Sequence, residues 1–283
     1  MPGRAAPSLL LGLALLLSGC AGLIGGKEPV SVGDAPRPSL SPGQGSFKVQ
    51  KGRPGYVIAA PHGTTDTATD LMGLDLARRT GFSAVVATGF GKLDGQRRRY
   101  NVNRPTEGAP GDPPRSERET EAARRVYEAY GRSVAEAAQG PLRVYIELHG
   151  NGHQDTAGRI EIATVGLSTE DAWRLKTLLE LVRDAHLGGQ PDAPKLEILV
   201  DPVDTLRYTA SASKSGGILG RSEKALHIEL PKVARTTYRD AYTAMLGDFL
   251  AQWADFPAAA PAAIPAATPA RTPGHTPAPM KDR

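Results

Sequence analysis

Two hydrophobic rhythms alternate along the middle of this chain. Short runs rich in β-branched and aliphatic residues, Tyr56–Ala60, Ala84–Ala87, Leu142–Leu148, Arg159–Val165, Leu196–Val200 and Ala225–Leu230, predict strands, and Pro61 closes the first. Between them, Thr69–Arg79, Glu117–Ala138, Thr169–His186 and Tyr238–Trp253 repeat apolar residues every three or four positions and predict helices. Gly81 suits the end of the first helix, and Trp173, Leu175, Leu178 and Leu179 are expected to face inward from the third. Strands separated by helices of this length imply an α/β fold with a three-layer, mostly parallel or mixed central sheet flanked by helices.

The ends lack this rhythm. Residues 1–20 read as a signal peptide: Arg4 gives a positive start, and Leu9–Leu17 form an apolar run too short to span a bilayer. The sequence Leu17-Ser18-Gly19-Cys20 resembles a bacterial lipobox, which implies lipidation at Cys20 and a membrane anchor there. Ala21, rather than Asp, follows the cysteine, which by the same resemblance implies the outer membrane if the host is Gram-negative. Residues 21–47 are rich in Gly, Pro and Ser and read as a tether. Residues 257–283 carry Pro at every fourth position from Pro257 to Pro277, mostly with Ala between, and read as a disordered tail. Residues 48–256 are left as the folded, catalytic domain.

Cys20 is the only cysteine, so once it is lipidated no disulfide, thiolate ligand or cysteine nucleophile remains. Any metal must be held by His, Asp or Glu. The 34 Lys and Arg against 30 Asp and Glu give a mild net charge of +4, which does not suggest nucleic acid.

Candidate chemistry sits at the ends of the strand-like runs. His62 follows the first strand and opens a Gly-containing loop, where ligand sites of α/β sheets gather. Asp66 comes four residues later, either as an acidic ligand or as a cap for the next helix. Strand periodicity puts Tyr145, Glu147 and His149 on one face, so Glu147 can orient His149 as a metal ligand. His153 is a rival ligand or a residue lining the site. The same parity pairs His227 with Glu229. A Glu inside an apolar strand is costly to bury, which suits a general base; the alternative is an ion pair with Arg221, Lys232 or Arg235. Arg104 offers a guanidinium for a substrate carboxylate or an oxyanion, or is a surface arginine. Two imidazoles, an acid and a separate carboxylate are the parts of a hydrolytic zinc site.

Four segments in order resemble the N-formylglutamate amidohydrolase family, which is similar in fold to the zinc carboxypeptidases: Pro61-His62-Gly63, Asn101-Val102-Asn103-Arg104-Pro105, Ile146-Glu147-Leu148-His149-Gly150 and Ala225-Leu226-His227-Ile228-Glu229-Leu230. The resemblance implies one Zn2+ per chain on His62, Asp66 and His149, catalysis by Glu229, and substrate contacts from Asn103 and Arg104, with His153 and Arg221 lining the pocket. Zinc carboxypeptidases place a Glu three residues after the first His. Thr65 stands there in this chain, so Asp66 substitutes, with Asp70 a further acid. The expected activity is hydrolysis of an amide or peptide bond in a small-molecule or peptide substrate. An envelope location favours an envelope amide, bearing a carboxylate or a γ-glutamyl link, over formylglutamate. The alternative is a non-catalytic envelope lipoprotein that binds a ligand on a degenerate version of this fold. A serine enzyme is a weaker rival: Ser211-Ala-Ser213-Lys214 matches Ser-x-x-Lys, but the segment reads better as a flexible Gly/Ser loop.

Overall fold

The computed structural model describes residues 40, 45–63, 65–91, 99–108, 113 and 116–256. The segments expected to form a signal peptide and a disordered tail, Cys20 and most of the expected tether lie outside the described residues.

The strands are β1 (Ser46–Gln50), β2 (Arg53–Ala60), β3 (Phe82–Thr88), β4 (Arg99–Asn101), β5 (Thr106–Gly108), β6 (Arg118–Glu119), β7 (Val144–Gly150), β8 (Arg159–Val165), β9 (Glu197–Val200) and β10 (Lys224–Leu230). The helices are α1 (Thr69–Thr80), α2 (Glu121–Ala138), α3 (Thr169–Leu187), α4 (Ser211–Gly216), α5 (Lys232–Arg235) and α6 (Arg239–Trp253). Seven strands form one mixed sheet in the order β1-β3-β2-β7-β10-β8-β9, and β4-β5-β6 form a small antiparallel sheet. The pairs β3–β2, β2–β7 and β7–β10 are parallel, whereas β1 and β8 run antiparallel to their inner neighbours. The expected α/β architecture, a mixed central sheet between helical layers, is therefore present.

Strand alternation creates two unlike faces. Tyr56 and Ile58, Val144, Ile146 and Leu148, and Leu226, Ile228 and Leu230 pack with α1, α3 and α6 in the larger core. Each fully buried Leu or Ile there contributes about 1.5–3 kcal/mol. The opposite face packs Val57, Ala59, Tyr145 and Ala225 against Val126, Tyr130 and Val134 of α2. Beyond Tyr145 and Ala225 this second face turns polar, with Glu147 and His149 on β7 and His227 and Glu229 on β10, all buried. The chain leaves β2 toward β3 on one side, while β7 lies on the other. A crevice opens at such a reversal, beyond the carboxyl ends of the strands.

Several sequence expectations need correction. β1 begins at Ser46, inside the stretch whose composition reads as a tether, and its Phe47 and Val49 pack against the α2 side of the sheet. The helix expected from Glu117 starts at Glu121: Thr120 caps it by accepting the Ala123 N–H, and Arg118–Glu119 pair with β5 instead. Trp173 was expected to face inward but is 54% exposed. The buried stripe of α3 runs through Ala172, Leu175, Leu179 and Val182, and Trp173 lies off it. The Gly/Ser segment read as a flexible loop contains α4, whose Ser213 is buried.

Candidate active site

The carboxyl ends of three parallel strands supply the candidate groups. In the β7–β10 register His227 pairs with Glu147 and Glu229 with His149, so the four side chains form a two-by-two grid in which acids and imidazoles alternate. Contacts across the grid are close. Glu147 Oε2 lies 3.2 Å from His149 Nε2 and 3.2 Å from His227 Nδ1, and Glu229 Oε1 lies 3.1 Å from His227 Nε2. The His149 and His227 rings are 4.1 Å apart, centroid to centroid.

The loop after β2 closes over this grid. The N–H groups of Thr65 and Asp66 both donate to the His62 carbonyl, forming a tight turn. His62 meets His149 edge-on, with ring centroids 5.2 Å apart. Asp66 does not cap α1, whose N-cap is Ala68 in a left-handed conformation with no side-chain cap. Instead, Asp66 Oδ2 accepts the Gly150 N–H at 3.0 Å and stands 3.6 Å from His149 Nδ1. Asp70 lies in the first turn of α1.

Glu147 is the anchor of the site. It is fully buried and accepts from Tyr145 OH (2.9 Å) and Asn103 Nδ2 (3.1 Å) while facing both histidines. Tyr145 in turn lies 2.7 Å from the Tyr130 hydroxyl on α2, and Asn103 also donates to Ser213 Oγ on α4. Burial opposes charge on Glu147, but hydrogen bonds from His149 and His227 outweigh it and hold its carboxyl well below the usual range. Burial likewise opposes charge on His149, yet the carboxylates of Asp66 and Glu147 prevail and raise it to about 10. His62 is pushed down to about 3, first by the partial desolvation of its ring and then by the neighbouring His149. Asp66 is lowered despite burial, by His149, His62 and the Gly150 N–H.

Among the described residues, one group of acids and imidazoles brings its donor atoms close enough to share a metal ion. The buried set Glu147, His149 and His227 has donor atoms all within 4.8 Å of one another. The set the sequence points to, His62, Asp66 and His149, does not bring all three of its donor atoms within that range and shares only His149 with this group. Ligand atoms about 2.0–2.1 Å from a tetrahedral ion stand about 3.3 Å apart. The 3.6 Å from Asp66 Oδ2 to His149 Nδ1, too long for a hydrogen bond, is close to that spacing. In this arrangement His149 turns its other nitrogen to Glu147, the outer partner that fixes a metal-binding imidazole. Glu147 is enclosed and already has four donor groups around it, whereas His62 and Asp66 are partly exposed and leave an approach from solvent.

The remaining candidates are held by partners of their own. Arg104 is engaged with Glu117, its Nε 2.9 Å and its Nη2 2.6 Å from the two carboxylate oxygens. His153 Nδ1 lies 3.3 Å from Asp155, and Arg221 stacks over the Tyr127 ring at 5.3 Å. Of the basic partners expected for Glu229, Arg235 is spoken for: its guanidinium donates to the carbonyls of Leu230, Thr67 and Asn151, tying three loops of the site together. A Cβ added at Gly150 would lie 2.4 Å from the Arg235 Cζ, so a larger residue there would have to displace that guanidinium. Ser211 pairs with Thr209, Ser213 with Asn103, and Lys214 with Asp201, so no Ser–Lys nucleophile pair forms. Sequence reasoning gives His227 no role in the site and Arg235 only that of an alternative ion-pair partner for Glu229. The parity of Leu226-His227-Ile228-Glu229 did put His227 on the right face, but its partner across the strands is not written in the sequence.

No family model and no curated protein sequence matches the chain. Among solved structures it is similar to a bacteriophage poly-γ-glutamate hydrolase, at 12% identity and a TM-score of 0.43 over 74% of this chain and 87% of that one. It is also similar to a metallo-carboxypeptidase from Burkholderia cenocepacia (11% identity, TM-score 0.41, 75% of this chain and 65% of that one). A gene product of Agrobacterium tumefaciens aligns at 15% identity with a TM-score of 0.39, over 73% of this chain and 94% of that one.

Proposed function

We propose that this protein is a zinc-dependent amidohydrolase of the bacterial envelope, anchored by lipid on Cys20. One observation carries the reading: at the carboxyl end of the sheet Asp66 Oδ2 stands 3.6 Å from His149 Nδ1, the His62 ring meets His149 edge-on, and Glu229 is in register beside His149. His62, Asp66 and His149 would hold the metal. Zinc, when bound, lowers the pKa of a coordinated water and polarises the scissile carbonyl. Glu229 takes a proton from the attacking water and delivers it to the leaving nitrogen. Glu147 fixes the His149 ring. Arg104, on leaving Glu117, orients a substrate carboxylate; Asn103, whose N–H groups are taken by Glu147 and Ser213, acts on the site through Glu147, and His153 and Arg221 line the pocket. The ordered Pro-His-Gly, Asn-Arg-Pro, Glu-Leu-His-Gly and His-Ile-Glu segments support kinship with the N-formylglutamate amidohydrolases. The substrate class is an amide or peptide bearing a free carboxylate or a γ-glutamyl link.

The test combines metal analysis with turnover of N-formylglutamate, γ-glutamyl peptides, poly-γ-glutamate and peptidoglycan stem peptides. One zinc per chain is expected, lost in His62→Ala and His149→Ala, together with hydrolysis lost in Glu229→Gln without unfolding. A chain that binds no zinc, or hydrolyses as well with Gln at 229, overturns the reading.

The enclosed Glu147–His149–His227 group favours a second reading, a non-catalytic lipoprotein with a structural ion. That reading requires metal to survive His62→Ala and to be lost in His227→Ala.

A further inference from the structure

His227 lies between two carboxylates, with Nδ1 3.2 Å from Glu147 Oε2 and Nε2 3.1 Å from Glu229 Oε1. The ring is 6% exposed and lies against His149 at a 30° interplanar angle. Its anchor is itself immobilised, because Glu147 accepts from Asn103 and from Tyr145, whose hydroxyl meets Tyr130. A continuous line of hydrogen-bonding groups thus runs from α2 through β7 to β10 and ends on Glu229. Among the described residues, His227 is the hydrogen-bond partner of that carboxylate.

A glutamate must otherwise be ordered about several rotatable bonds, and a misplacement of about 1 Å in a reacting group costs about 100-fold in rate. We infer that His227 is a positioning residue: it pins Glu229 Oε1 through Nε2 and leaves Oε2 to face the substrate. Its kinetic consequence rests on Glu229 being the base, as proposed above, whereas the placement of the carboxylate can be tested without that reading.

The two nitrogens of His227 can be tested separately. In His227→Asn the amide takes the place of Nδ1 and keeps the bond to Glu147, but nothing reaches Glu229. In His227→Gln the amide takes the place of Nε2 and keeps Glu229. Crystal structures of both variants, with zinc content and kcat and KM on the best substrate found, make the test. Expected in the Asn variant are a displaced Glu229 carboxylate, a kcat about 10–100-fold lower, and unchanged KM and zinc. Expected in the Gln variant are a Glu229 in its native place and most of kcat. Glu229 unmoved in the Asn variant overturns the inference, and so does its displacement in the Gln variant, which decides the matter even if the Asn variant does not fold. Loss of zinc from both variants assigns His227 to the metal and also overturns it. A wild-type chain that binds no zinc and turns nothing over removes the proposed function, while the position of Glu229 in the two crystal structures still decides the inference.

Discussion

Glu229 and His149 occupy paired positions on neighbouring parallel strands and turn their side chains to the same face, where both are buried. Parallel pairing makes this meaningful, because both strands end at the same edge of the sheet, and what lies beyond either end is shared. The loop after β2 reaches that edge as well and brings His62 and Asp66 to the same imidazole. An acid beside the metal-ligand candidates, rather than among them, is the arrangement hydrolysis needs.

Metal affinity should rise with pH. Without metal, His149 keeps its proton up to about 10, and a ligand must be deprotonated. If His149 is a ligand, zinc affinity climbs about tenfold per pH unit between pH 7 and 9, and binding at pH 7 releases a proton from His149. Calorimetry in two buffers of different ionisation heat measures that release; an affinity independent of pH would remove His149 from the ligand set.

The metal-free protein should respond in the opposite sense. The folded pKa of His149, about 10, lies above its ordinary value of 6.5. Its stabilising contribution is fully present below pH 6.5 and is lost as pH rises toward 10. Urea midpoints of the apo protein from pH 6 to 9 should therefore fall across the alkaline part of the range, and His149→Gln should flatten the fall.

Asp66→Asn keeps an oxygen to accept the Gly150 N–H but loses the charge facing His149. Zinc affinity should drop at least about tenfold, and the apo protein should lose part of its stability at neutral pH but still fold, because Asp66 is one of the two carboxylates that keep His149 protonated. An equal loss of fold and metal would make Asp66 a structural residue.

Removing the charge of Glu147 leaves two buried imidazoles and an amide without their common acceptor. Glu147→Ala should cost about 3–5 kcal/mol in urea unfolding, the range found when one member of a buried charged pair is deleted. A cost under about 1 kcal/mol would show that the hub does not hold the site together.

Arg104 and Glu117 are both partly exposed, at 25% and 24%, so their pairing should be worth no more than about 1 kcal/mol. If Arg104 orients a substrate carboxylate, Arg104→Gln raises KM with little change in stability. Glu117→Gln, which frees the guanidinium, should lower KM. Steady-state kinetics on a carboxylate substrate and its amide separate these effects, and identical KM values in both variants would exclude Arg104 from binding.

The main strands and helices were legible because burial writes itself into composition. Strands covered on both faces, such as Tyr56–Ala60 and Ala84–Ala87, read as unbroken apolar runs. Parity also put Glu147 with His149 and His227 with Glu229, since side chains alternate along a strand wherever it lies. β1 escaped notice because Ser-Phe-Lys-Val-Gln is a half-polar edge strand following a Gly/Pro-rich stretch. The small β4–β6 sheet escaped because its strands are two or three residues long. The Ser/Gly composition of α4 conceals a helix fixed from outside, by Asn103 on Ser213 and by Tyr127 on the Gly216 carbonyl.

The sequence by itself determined six of the seven strands of the main sheet and the face each of their residues presents, because periodicity and burial are local properties. It also marked His62, His149 and Glu229 as polar groups at strand ends. Only the tertiary structure decided that β7 and β10 are neighbours in a register that interleaves Glu147, His149, His227 and Glu229. It alone turned Asp66 from a helix cap toward Gly150 and His149, and engaged Arg104 with Glu117. Those outcomes depend on contacts between segments tens of residues apart, which form only when the sheet order is fixed and which no local pattern encodes.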